Sequence, residues 1–600
     1  MTESASFIPM SLEEAREQGI ARFDVVIVTA DAYVDHPAFG AAIIGRFLQS
    51  LGLGVGIISR PDWRKAADFR KLGAPKYFFG VTAGNLDSMV ALYTAGRKAR
   101  SEDDYSEGGQ AGRRPYLPTV VYSRRLRELF PDVPIVLGGI EASLRRICHY
   151  DHYHDKLRQS ILLDARADLL VYGNAEAGLA EIVKGLTSGR QMSELRDIRG
   201  TVVPLESDDL ERTRNSGGII VLPSFEAVSD DRRQFMDMTK LVLENMSPFI
   251  AKPLFQASTG RGVIVNPPAM PLSTAELDRI YELPFTRKPH PSYKKEIPAI
   301  RTVDSSFVSH RGCFGGCAFC ALSLHQGKFI QSRSPASVVR EIGRFVNGRR
   351  PDPQKAKGII ITDVGGPTAN MYGLECLDAQ AMKACRRRSC LYPSICRHLK
   401  VSHAAYRGLI EAVSGVAGVK SVYVNSGVRF DLALADPAFI RDLSARHTQG
   451  RLSVAPEHVD PQILKLMEKA DISVFDRFTV EFYSRSGEAG REQFVVPYFI
   501  VGHPGADDRT ERNLAEYVRK KKIRPDQIQE FYPTPMTLAT AMYYAGVDID
   551  GHPIAVERET KRRRLWKDMV QQKTGRPGTG HPASHHPIKH ARPGAGKPRR

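Results

Sequence analysis

One recurring unit limits what this chain of 600 residues can become. It is a short apolar run rich in β-branched residues, ending in glycine or small polar residues and followed by a helical pattern. DVVIVTA (residues 24–30) leads through the loop DAYVDHPAFG into AAIIGRFLQSLG, and VGIIS begins at Val55. YFFGVTAG (77–84), VPIVLGGIEAS (133–143) and ADLLVYGNAE (167–176) repeat the unit. Strands alternating with helices predict a parallel, doubly wound sheet with ligands at the carboxyl ends of its strands. Glycines at 84, 138, 139 and 173 fall in those loops, and tight turns without a ligand explain them equally well. The polar stretch 99–115 reads as a long exposed insertion. Residues 205 to about 295 carry helical patterns such as DDRRQFMDMTKLVLENM and then a Pro-broken stretch, which suits a connection between domains. After Ile300 the alternation resumes with GIIITDVGG, KSVYVNSGVRFD, GRLSVAPEH and FVVPYFIVGHPG. A second α/β domain, barrel-like or open, is therefore expected.

No stretch reaches the roughly 18 apolar residues that a membrane span needs, and the start, MTESASFIPMSLEEAREQG, is acidic where a signal peptide is basic and then apolar. The expected setting is the cytoplasm, with no membrane partner. Seven of the eight cysteines fall within residues 313–396, which in a reducing compartment points to metal ligation rather than disulfides. The formal charge is +18. Residues 551–600 hold 13 Lys or Arg against 3 Asp or Glu, and so supply +10 of it. The final stretch, KTGRPGTGHPASHHPIKHARPGAGKPRR, is expected to be disordered, as a solubilising tail or a nucleic-acid contact.

In SHRGCFGGCAFCALSLHQG, Cys313, Cys317 and Cys320 form a CxxxCxxC set. Three thiolates can ligate three irons of a cubane, and the nearby glycines permit sharp turns. The fourth iron then lacks a protein ligand, as an open, catalytic metal position requires. A structural zinc would need a fourth ligand, for which His310 and His325 are the nearest candidates.

The motif resembles that of the radical S-adenosylmethionine (SAM) superfamily, with Phe319 as the aromatic residue before the last cysteine. The resemblance implies a 4Fe-4S cluster on Cys313, Cys317 and Cys320, SAM chelated at the open iron, and a 5'-deoxyadenosyl radical that abstracts hydrogen from a substrate. It implies SAM contacts at the Gly365-Gly366 turn, where Pro367 replaces the family's acidic residue and leaves Asp363, Thr368 or the backbone to meet the methionine amino group. It further implies contacts at Ser426 and Arg429, and close backbone approach at Gly502 and Gly505. SHRGCFGGCAFC, DVGGPTANMYG, CRRRSCLYPSIC, APEH and QEFYPTPMTLATAMYY together are similar to the YgiQ family, over about residues 20–570.

That resemblance implies an α/β chain. Its parts are a Rossmann-like, doubly wound N-terminal domain (1–204), a helical connecting region (205–296), a radical SAM (β/α) partial barrel with a C-terminal extension (297–568), and a disordered basic tail (569–600). The N-terminal domain is similar in layout to cobalamin-binding domains. Its loop places His36 directly after Asp35, which departs from their Asp-x-His-x-x-Gly spacing, so cobalamin is the less favoured cofactor and a substrate-binding domain the preferred reading. A flavodoxin or ferredoxin type reductant is the expected partner, and the substrate, whether RNA, protein or small molecule, stays open. Cys376, Cys385, Cys390 and Cys396 lie beside Arg386, Arg387 and Arg388, and either an auxiliary iron-sulfur cluster or a zinc suits them. The rival readings are a zinc-stabilised RNA-binding protein without catalysis and a cobalamin-dependent radical SAM methyltransferase.

Overall fold

The computed structural model describes residues 6–349, 358–524 and 527–572. The tail expected to be disordered lies, from residue 573 on, outside the described residues, whereas residues 569 and 570 complete the helix Thr560–Val570. No helix among the described residues is long and apolar enough to cross a membrane.

The first five apolar runs become β1 (Val25–Thr29), β2 (Val55–Ser59), β3 (Phe78–Thr82), β4 (Ile135–Gly138) and β5 (Leu169–Val171). They pair in parallel in the order β2-β1-β3-β4-β5. Every residue of β1 is buried, because helices cover both faces of the sheet; this is why the run is continuously apolar rather than alternating. Val26 and Val28 join Phe79 and Val81 in one layer, while Val25 and Ile27 join Ile57 and Leu179 in the other. The strand order reverses between β1 and β3, and a crevice opens there at the carboxyl ends.

The sheet does not stop at β5. It continues through β6 (Thr201–Leu205), β7 (Ile220–Val221), β8 (Leu254–Ser258) and β9 (Arg261–Val265) to nine strands. The segment 205–296, expected to be a helical connection, thus carries three strands of this sheet and the short strand Lys288–Pro289, as well as helices such as Arg232–Glu244. A hairpin explains the difference: Thr259 and Gly260 both take positive φ, 39° and 74°, the conformation of a tight two-residue turn between antiparallel strands. The stretch 99–115 also differs from its reading as exposed. Arg114 is buried within it, 2.7 Å from Asp31 and 3.3 Å from Asp103, so its polar residues plug the strand ends as ion pairs.

The second half forms β10 (Ser306–Val308), β11 (Ile359–Ile361), β12 (Asp363–Gly365), β13 (Val419–Val422), β14 (Arg451–Glu457), β15 (Phe494–Val501) and β16 (Ile528–Glu530). β10 pairs with β12, β11 with β13, β14 with β15 and β15 with β16, every pair parallel. A parallel bridge from Val428 to Val454 links the two groups, giving an open barrel wound in chain order. Phe307, Ile361, Val422 and Val454 pack against Ile342, Leu409 and Phe478 of its outer helices. The chain then returns to the first domain: Leu538–Ala545 lays Leu538, Met542 and Tyr544 into the core that holds Phe235 and Tyr150.

Candidate metal centre and interdomain cavity

Directly after His310 and Arg311 the chain enters the CxxxCxxC loop, which is pinned on several sides. The Cys313 N–H donates to Gly327 O at 3.0 Å, and the Ala318 N–H to Met467 O at 3.0 Å. The Ala539 N–H donates to Ala318 O at 2.9 Å, and Ser389 Oγ to Gly315 O at 2.7 Å. Gly312 makes the entry turn at φ +89°, where an added Cβ would sit 2.2 Å from Phe329 O. Gly312→Ala therefore meets both left-handed strain and a backbone clash, an expected loss of about 2 to 4 kcal/mol. Thermal unfolding and iron content both report it, and a variant with unchanged melting and metal loading would refute this account of the turn.

The loop brings Cys313, Cys317 and Cys320 around one region. Each keeps some exposed surface, yet the surrounding protein pushes the Cys320 thiol up to about 12, with the neighbouring Cys317 and Cys313 adding to the shift. Cys313 is raised for the same first reason, burial. Such thiols give up their protons when a cation compensates the charge. Arg429 begins that compensation: its Nη1 lies 3.4 Å from Cys317 Sγ, while its Nε, 3.0 Å from Asp431 Oδ1, fixes the guanidinium. Arg429, expected at bound SAM, thus stands against a cysteine in this structure.

The donor set fits a cluster better than zinc. A tetrahedral zinc at ~2.3 Å from each sulfur would hold them ~3.8 Å apart, but the three do not all lie within 4.8 Å of one another. Of the two histidine candidates, His310 has both ring nitrogens engaged and His325 turns one of its two away from the cysteines. His310 is buried, with Nδ1 2.9 Å from Ser309 Oγ and Nε2 3.1 Å from Thr368 O. His325 Nδ1 lies 3.1 Å from Ser143 Oγ in the first domain. Burial holds both rings neutral, near 4.

Beside this loop a cavity of ≈ 580 Å³ lies between the two domains. Gly84, Asn85, Gly138 and Gly139 line it from the carboxyl ends of the first sheet; Gly365, Gly366, Pro367 and Ser426 line it from the barrel. An added Cβ at Gly366 would lie 2.6 Å from His310 O, so only glycine fits there. Asp363 is engaged with the chain itself, accepting the Asn425 and Ser426 N–H groups at 2.9 Å each. Thr368 Oγ1 approaches Cys313 Sγ at 3.8 Å. Phe319 is not among the lining residues; its ring stands edge-on to His503, centroids 6.3 Å apart. His36 does not line the cavity either, although Pro37 and Ala38 do; its ring is fully buried with Nδ1 accepting the Ala38 N–H at 3.0 Å.

Three residues at this cavity have no motif. Arg311 Nη1 pairs with Glu176 Oε1 across the domains at 2.7 Å, and Arg311 Nε donates to Tyr281 Oη at 3.0 Å. His325, the third, stands out in the sequence only as a candidate metal ligand. For the other two the only sequence signal is adjacency: Glu176 opens the helix after β5, and Arg311 lies two residues before Cys313.

A family model described as "Radical SAM N-terminal" matches residues 7–306, and "Domain of unknown function (DUF3362)" matches 526–576. The UPF0313 protein of Rhodopseudomonas palustris is 45% identical, covering 94% of this chain and 86% of its own. That of Geobacter sulfurreducens is 46% identical over 94% and 92%, and that of Methanocella arvoryzae 44% over 94% and 92%. Among solved structures, the radical SAM methyltransferase TsrM from Kitasatospora setae, with cobalamin and a 4Fe-4S cluster bound, shares the fold. Its TM-score is 0.51 at 13% identity, covering 95% of this chain and 93% of that one. With a family model spanning half the chain and relatives matching nearly all of it, this protein belongs to the UPF0313 family of the radical SAM superfamily.

Proposed function

We propose that this protein is a radical SAM enzyme whose cluster is held by Cys313, Cys317 and Cys320. The observation that carries the reading is a pinned loop offering three thiols and no fourth cysteine, next to an interdomain cavity of ≈ 580 Å³. A cluster held by Cys313, Cys317 and Cys320, with SAM at its open iron, would supply reductive cleavage of SAM and hydrogen abstraction from a substrate. The chain does the rest. Arg429 offsets thiolate charge, Gly365 and Gly366 let the turn pack against Ser426 and His310 while lining the cavity, and Ser426 stands at the cavity wall. Both domains together wall the cavity.

The first domain's half of the cavity is assigned to substrate. The cobalamin bound by the fold neighbour TsrM supports a corrinoid reading instead, but in this chain the His36 side chain is buried behind Pro37 and Ala38 and does not line the cavity. Full-length protein incubated with hydroxocobalamin and gel-filtered is expected to keep no corrinoid absorbance; stoichiometric retention would favour the methyltransferase reading. A flavodoxin or ferredoxin type protein is the proposed reductant.

The deciding experiment is anaerobic purification followed by electron paramagnetic resonance of the dithionite-reduced protein with and without SAM. A signal that SAM perturbs, together with 5'-deoxyadenosine formation, is expected. A cluster signal indifferent to SAM with no 5'-deoxyadenosine would overturn the proposal.

A further inference from the structure

We infer that Cys385, Cys390 and Cys396 hold a second iron-sulfur cluster, packed on the back of the first cluster's loop. The chain between the helices Ala379–Lys383 and Ala404–Ser414 is about twenty residues without helix or strand. Stretches of that length inside a compact domain are uncommon, and are usually functional. This one buries little, chiefly Leu391 and Leu399 against Phe314, so apolar packing alone is a thin reason for it to hold one shape.

It is nevertheless shaped in detail. The Arg387 guanidinium donates to three carbonyls of the same stretch: Ser389 O at 3.1 Å, Tyr392 O at 3.0 Å and Ser394 O at 2.9 Å. Ser389 Oγ accepts the Leu391 and Tyr392 N–H groups at 3.0 Å each while donating to Gly315 O in the CxxxCxxC loop. The Cys390 N–H reaches Phe314 O at 3.0 Å, and the Cys396 N–H reaches Cys390 O at 2.8 Å. The stretch is thus a preformed cradle fastened to the first metal loop.

The three thiols meet there. Cys385 and Cys396 both act electrostatically on Cys390, as do the Lys328 ammonium and Arg387. Lys328 Nζ is 3.2 Å from Cys385 Sγ and 2.7 Å from Arg387 O. Burial pushes the Cys390 thiol up to about 11 while the Lys328 ammonium and Arg387 work against it, so the thiol gives up its proton once a metal compensates, and the two cations offset a cluster's negative charge. Cys376 is turned aside, its sulfur donating to Asp378 O at 3.4 Å.

As in the first set, the three sulfurs do not all lie within 4.8 Å of one another, wider than the tetrahedron of a single zinc. No disulfide joins any of them. This inference goes beyond the proposed function and does not require the first cluster to be catalytic.

The test is made on full-length protein, reconstituted anaerobically with iron and sulfide. Wild type is expected to bind about eight irons, and the variant Cys313→Ala, Cys317→Ala, Cys320→Ala about four, with a reduced-state resonance signal that SAM leaves unchanged. The variant Cys385→Ala, Cys390→Ala, Cys396→Ala is expected to keep about four irons and the SAM-sensitive signal. An iron-free first-motif variant, or one zinc per chain at this site, would overturn the inference. If the second variant does not fold, the first still decides. Wild type with about four irons and SAM cleavage defeats this inference alone. Eight irons without 5'-deoxyadenosine formation defeat only the proposed function.

Discussion

Cys317→Ala is expected to lower 5'-deoxyadenosine formation by more than about 10³-fold, beyond the ~10–100-fold that loss of a ligand's outer partner brings. The reason is geometric. Cys313, Cys317 and Cys320 are the only thiols that the pinned loop offers, and His310, the nearest substitute, spends both ring nitrogens on Ser309 and Thr368. Two thiolates leave two irons of a cubane unsupported, so iron should fall by about four per chain. Arg429→Lys provides the contrast. Lysine keeps a positive charge beside the buried Asp431, but a compact ammonium cannot bond Asp431 and reach Cys317 together as the planar guanidinium does. The cluster should then assemble, with activity down roughly 10–100-fold and its resonance signal shifted. If Cys317→Ala retains the SAM-sensitive signal, the loop does not hold the cluster; if Arg429→Lys behaves as Cys317→Ala, Arg429 is needed for assembly rather than for tuning.

The parts of the fold legible in the sequence are those where one local pattern decides the outcome. β1 is apolar throughout because it is covered on both faces, and that signal needs no partner to be read. The pair β8 and β9 escaped because its evidence is a two-residue turn, Thr259-Gly260, in a proline-rich setting that reads as linker. Arg114 escaped for a different reason. Polar residues predict exposure unless a buried opposite charge awaits them, and Asp31 lies 83 positions away. The metal site divides in the same way. Three cysteines at fixed spacing announce themselves, whereas Arg311, Glu176 and His325 gain their meaning only when the first domain closes on the barrel. Arg429 was legible as a site residue, yet its position against Cys317 depends on Asp431 orienting it, a tertiary detail that spacing does not carry.

Glu176→Ala is expected to destabilise the protein by about 3–5 kcal/mol, the usual loss when one member of a buried ion pair is removed. Glu176 is 3% exposed and Arg311 7%. With the carboxylate gone, the guanidinium keeps only the Tyr281 hydroxyl and the Tyr281 ring, whose centroid lies 5.1 Å away. The melting temperature should fall by about 3–4 °C. The effect should reach the chemistry as well, because Arg311 is two residues before Cys313 and Glu176 starts the helix that borders the cavity. The double variant Glu176→Met, Arg311→Met separates the two consequences. Replacing both charges with apolar side chains of similar length should recover most of the stability, since a buried pair is worth little more than good packing. It should not recover 5'-deoxyadenosine formation if the charged strut sets how the first domain closes over the metal loop. Additive losses in the double variant would show that the two side chains do not act as a pair; full recovery of both stability and activity would show that packing across the interface, and not its charge, is what the enzyme uses.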